Sequence, residues 1–103
     1  MMKIRYELSR EADEVLIKIY DIAGELVKEI HPSQRSQGVN TVEWNMENNG
    51  GRRIASGIYI VMIRVKAEGK EEIKKFKVAF IAQVEQEEKN RFAAIKQNKN
   101  EVD

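Results

Sequence analysis

Cysteine is absent from the 103 residues, and histidine and proline occur once each, as His31 and Pro32. Without cysteine there is no disulfide framework, no thiolate nucleophile and no Cys-based zinc site. A single His then leaves a transition-metal centre without its usual ligands. No run approaches the roughly 18 uninterrupted apolar residues of a membrane span. An excess of one charge is also missing: 18 Lys and Arg face 17 Asp and Glu, for a net charge of +1. The two signs are interleaved, as in Lys70-Glu71-Glu72-Ile73-Lys74-Lys75, so no basic stripe marks a nucleic-acid binder. Met1-Met2-Lys3-Ile4-Arg5 carries no apolar signal segment, which fits a cytoplasmic protein or a piece of a longer chain.

Hydrophobic residues make up 42% and charged residues 34%, enough for one packed domain under a charge-rich surface. The apolar residues come in short runs of period two, separated by glycines. Ile4, Tyr6 and Leu8 alternate with Lys3, Arg5 and Glu7; Val15, Ile17 and Ile19 alternate with Leu16, Lys18 and Tyr20. Leu26 to Ile30 is a less regular third run, and Val39 to Trp44 a fourth with Val42 and Trp44 on one face. The fifth run sets Tyr59, Val61, Ile63 and Val65 on one face, and the sixth sets Phe76, Val78 and Phe80 inward against Lys75 and Lys77. Asp21-Ile22-Ala23-Gly24 and Ala67-Glu68-Gly69-Lys70 read as hairpin turns, and Asn45 to Gly57 as a long loop. No helical period occurs before residue 82, so the pattern predicts an all-β, antiparallel β-sandwich of six to seven strands over residues 1–81.

Residues 82–103 lack Gly and Pro and are rich in Gln, Glu, Lys and Asn. They form a separate charged extension, short and helical from about Val84 to Lys96 or disordered. Val84, Phe92 and Ile95 have no place inside a filled sandwich. The segment is a solvated appendage, a docking or oligomerising helix, or a linker. Docking through residues 84–96 would give at most a weak homodimer.

Few residues could carry chemistry. His31 stands at a strand end, and Ser33, Ser36 and Ser56 lie in no strained strand-to-helix elbow. Gly50-Gly51-Arg52-Arg53 precedes no helix, so it is not a phosphate cradle. Asn45, Glu47, Asn49 and Gly50 faintly echo a calcium loop, but one charged ligand and no following bidentate Glu make a turn the better reading. No catalytic, cofactor-binding or metal residue is expected.

Several segments read together: Ile4-Arg5-Tyr6-Glu7-Leu8, then Val15-Leu16-Ile17-Lys18-Ile19-Tyr20-Asp21-Ile22-Ala23-Gly24-Glu25-Leu26-Val27. Val42-Glu43-Trp44-Asn45, an Asn49-Gly50 turn and Ile54-Ala55-Ser56-Gly57-Ile58-Tyr59 follow. This order resembles the immunoglobulin-like (Ig-like) domain of the FlgD flagellar hook-capping family, related to C-terminal secretion and sorting modules of secreted bacterial proteins. The resemblance covers about residues 4–81 and rests most on the Tyr20-Asp21-x-x-Gly24-x-x-Val27 hairpin and the Ala55-Ser56-Gly57-Ile58-Tyr59 strand start. It implies an Ig-like sandwich with Tyr20, Asp21, Gly24, Val27, Trp44, Gly50, Gly57 and Tyr59 as structural determinants. It implies no catalytic residue. The function implied is a non-catalytic accessory module of an extracellular or cell-surface protein, a spacer, secretion-associated or protein-interaction domain within a longer chain; the alternative is an assembly domain of a hook-capping protein. Where the family commonly continues Trp-Asp-Gly, this chain has Trp44-Asn45-Met46. The 22 residues after Ile81 count against a terminal sorting signal and fit an internal domain.

Overall fold

The computed structural model of the chain describes residues 1–81. The expected extension at 82–103 and its helical segment lie outside the described residues. Six strands follow in order: β1 (Met2–Leu8), β2 (Glu14–Asp21), β3 (Leu26–Ile30), β4 (Gly38–Trp44), β5 (Gly57–Ala67) and β6 (Lys70–Phe80). They form two antiparallel sheets, β1-β4 and β3-β2-β5-β6. The alternation in each strand sends one set of side chains between the sheets. Ile4, Tyr6 and Leu8 from β1, Val15, Ile17 and Ile19 from β2, Trp44 from β4 and Tyr59, Val61 and Ile63 from β5 make the core. This is the all-β sandwich predicted above.

Turn chemistry fixes the register. In the β2–β3 turn the Asp21 carboxylate accepts a hydrogen bond from Glu25 N at 2.8 Å, and Gly24 N donates to Asp21 O at 3.0 Å. Gly24 sits at φ +90°, which L side chains rarely adopt. The β5–β6 hairpin turns on Glu68 and Gly69, both at positive φ, as a two-residue turn matching strand twist requires. A bulge follows in β3: Ile19 faces Lys28 and Tyr20 faces Leu26, so Val27 is unopposed and packs against the core.

Two expectations change. Phe76 was expected inside but is 41% exposed, because nothing among the described residues lies over that part of β6. Leu16 was expected on the outward face of β2 and points there, yet it is buried, as is Met62. Leu16 stands opposite Arg64, and Met62 opposite Lys18, on the two central strands, where long neighbouring stems cover apolar atoms.

Trp44 is 1% exposed, and its Nε1 donates to Glu47 O at 2.9 Å. Trp44→Ala is expected to destabilise the domain by about 3–5 kcal/mol, as for a buried large-to-small change. Chemical denaturation checks this: the midpoint should fall sharply or the variant should fail to fold.

Candidate functional site

The residues singled out for chemistry are committed to structure. His31 is exposed at the end of β3, with its Nε2 2.8 Å from Glu29 Oε2. Among the described residues no group of three His, Cys, Asp or Glu could hold a metal ion. In the long loop, Asn48 Oδ1 accepts from Gly50 N and Arg52 N, both at 2.9 Å, closing an Asx turn. Asn49 Oδ1 accepts from Glu29 N at 3.1 Å, while Asn49 N donates to Val27 O at 2.9 Å. Asn45 Nδ2 donates to Glu47 Oε1 at 3.2 Å. The side-chain oxygens that suggested a cation loop thus hold the turn together and tie it to β3.

The eight structural determinants are spread over the fold and form no common site. Tyr20 is half-buried on the outer face of β2, opposite Ile60. Asp21 and Gly24 make the first hairpin turn, and Val27 occupies the bulge. Trp44 and Tyr59 are buried, and Tyr59 OH donates to Ala55 O at 2.6 Å. Gly50 and Gly57 stand at ordinary backbone angles; a Cβ on Gly57 would meet only Tyr59 Cε2, at 3.9 Å. The positive angles of the loop fall instead on Gly51 and Met46.

Sequence reasoning missed Asn40, the buried polar residue of β4 at 5% exposure. Its Nδ2 donates to Ser36 O (2.9 Å) and Gly38 O (3.1 Å), and its Oδ1 accepts from Ser36 N (3.3 Å). These bonds satisfy the amide inside the core and brace the approach to β4. The signal was present: Asn40 shares the inward period of Val42 and Trp44. Ala12 and Met46, buried just outside the strands, had no periodic signal.

Two concave regions remain. A shallow one on the β1-β4 sheet, about 850 Å³, is lined by Lys3, Arg5, Ser33, Thr41 and Glu43. The other, about 950 Å³, runs between β1 and the β5–β6 hairpin and includes Tyr6, Leu8, Ile63, Val65 and Phe76. Burial raises the Tyr6 phenol above its ordinary pKa of 10.0, so it stays neutral. Its OH donates to Gln34 O at 2.6 Å.

A family model described as the FlgD Ig-like domain matches residues 1–70. The chain belongs to the FlgD Ig-like domain family. The crystal structure of FlgD from P. aeruginosa superposes with a TM-score of 0.64 at 21% identity, over 75% of this chain and 60% of that one. This likeness shows a shared fold. A second structure is PorZ, described as an essential bacterial surface component of the type-IX secretion system of Porphyromonas gingivalis. It aligns at 28% identity with a TM-score of 0.49, over 67% of this chain and 8% of its own. No curated protein sequence matches the chain.

In this FlgD-type domain Tyr6 joins the core to the segment before β4. Because its folded pKa is raised, the folded state holds the proton more tightly than the unfolded state does. The stability this gives is complete below about pH 10 and is lost as pH rises through the folded pKa. Tyr6→Phe is expected to cost about 1 kcal/mol at neutral pH through the lost hydrogen bond. The difference from the parent protein should shrink above pH 10. Urea denaturation of both proteins at pH 7 and at alkaline pH checks the sign.

Proposed function

We propose that the chain is a non-catalytic Ig-like accessory module of a bacterial extracellular or cell-surface protein, acting as a spacer or secretion-associated domain and through protein–protein contact. The observation that carries this reading is membership of the FlgD Ig-like family, matched over residues 1–70. The chemistry of the described residues agrees with it. Exposed His31 pairs with half-buried Glu29, the loop asparagines bond backbone amides, and burial keeps the Tyr6 phenol neutral. No nucleophile, base and oxyanion donor converge in either concave region.

The family description favours a second, narrower reading, an assembly domain of a flagellar hook-capping protein. Both readings make the exposed strand surfaces the working parts. The boundary at residue 81 belongs to the same proposal: the module is complete without residues 82–103.

Screening the purified chain against ester, phosphate, peptide and glycoside substrates should give no turnover. Turnover abolished by His31→Ala, or by substitution of one acidic residue, would overturn the reading. Truncation after Ile81 should leave the free energy of unfolding within about 0.5 kcal/mol of the parent protein, as for removal of solvated surface. A truncated chain that cannot fold would move the boundary.

A further inference from the structure

The two sheets differ in width, and the two flanks of the wider one are treated differently. The β4 side is closed, since the loop after Trp44 crosses to β3 through Asn49, and Met46 and Ile54 join the core there. The β1 side is open. β1 is an edge strand, and no described strand pairs with its outer side. The groove beside it is floored by Ile63, Val65 and Phe76, with Lys74 opposite Ile63 and Glu72 opposite Val65 on the same face and paired with each other at 3.8 Å. Val61 on β5 is fully buried, whereas Phe76, directly opposite it on β6, is 41% exposed. The groove therefore has three apolar side chains beside one Lys74–Glu72 ion pair on its floor and an unpaired strand edge as one wall.

The two open edges flanking the groove are unlike each other. β6 carries Lys70, Lys74, Lys75 and Lys77, the charges that discourage strand addition. β1 carries Lys3, Arg5 and Glu7 on its solvent face. Lys3 has Glu43 opposite it on β4, but Arg5 faces Thr41 and Glu7 faces Val39. Neither makes an ion pair among the described residues.

We propose that the free edge of β1 is a docking site for one extended strand of a partner polypeptide. The strand runs antiparallel to β1, lays alternate apolar side chains on Ile63 and Phe76, and sets an acidic residue beside Arg5 and a basic one beside Glu7. This is strand addition to an exposed sheet edge, in which main-chain bonds give affinity and alternate side chains give specificity. It rests on the reading of the chain as a protein-interaction module and names the surface. A second copy does not fit through the same edge. Pairing β1 with β1 about a two-fold axis would drive the two overhanging β6 strands into each other. Residues 82–103 lack the required alternation.

The test titrates the 15N-labelled full chain with the peptide Thr-Val-Lys-Val-Glu-Val-Glu-Val-Thr, whose third and fifth residues face Glu7 and Arg5. The expected result is saturable shifts of the β1 amides with slowed hydrogen exchange there. A peptide of the same composition with the alternation broken should not bind. Phe76→Glu, at a half-exposed edge position, should weaken binding about tenfold or more. Arg5→Glu should weaken it as well, and a peptide with Lys at the fifth position should restore it. No binding, equal binding of the control peptide, or shifts confined to β3 would overturn the proposal. So would a dimer in sedimentation that Phe76→Glu dissolves, since a second copy would then be the occupant. A change in the β1 amides on truncation after Ile81 would give the groove to residues 82–103 and overturn it too. Substrate turnover in the screen above would instead strike the module reading, whatever the peptide does.

Discussion

The inner face of β3-β2-β5-β6 is four strands wide, and the sheet laid over it, β1-β4, is two strands wide. At roughly 4.8 Å per strand, two strand positions lack a partner in the second layer. The narrow sheet covers the middle, which is why Ile17, Ile19 and Val61 are sealed from water. Everything distinctive about the domain comes from what happens at the two sides. On one, a loop replaces a strand. On the other, an edge is left free.

The loop can stand in for a strand because its backbone groups find partners. Trp44 anchors its start through Glu47 O, the Asn48 carboxamide closes its turn, and Asn49 bonds β3 in both directions. A buried loop without such bonds would leave amides unsatisfied at a cost of about 1–3 kcal/mol each. Met46, at φ +65° and buried, is held in an uncommon conformation for a non-glycine residue so that its side chain fills the gap beside Trp44. Asn49 Oδ1 and Glu47 Oε1, which faintly echoed a cation loop, are used within this closure.

The strands were legible because period-two alternation reports directly on burial: Ile4, Tyr6 and Leu8 were read correctly with no knowledge of their partners. The hairpin at Asp21–Gly24 was legible because its carboxylate and its glycine answer local demands of one turn. Phe76 was not legible, since its exposure depends on a neighbour missing from the other sheet, which alternation within β6 cannot report. Leu16 failed for the converse reason: its cover comes from side chains on an adjacent strand. The roles of Asn48 and Asn49 are contacts across the loop and to β3, which sequence spacing could not report: it showed a turn, with Asn49 only faintly echoing a cation ligand. Gly57, named as a structural determinant through the resemblance, does not sit at a positive φ.

Native-state hydrogen exchange of the unliganded chain tests the central claim, that one flank is closed by the loop and the other is open. The account predicts that the amides of Glu29, bonded to Asn49 Oδ1, and of Asn49, bonded to Val27 O, exchange slowly with the β2–β3 ladder. It predicts that β1 amides alternate, those bonded to β4 slow and those facing the groove fast. Asn49 exchanging at the rate of a free peptide, or β1 amides uniformly slow, would contradict it.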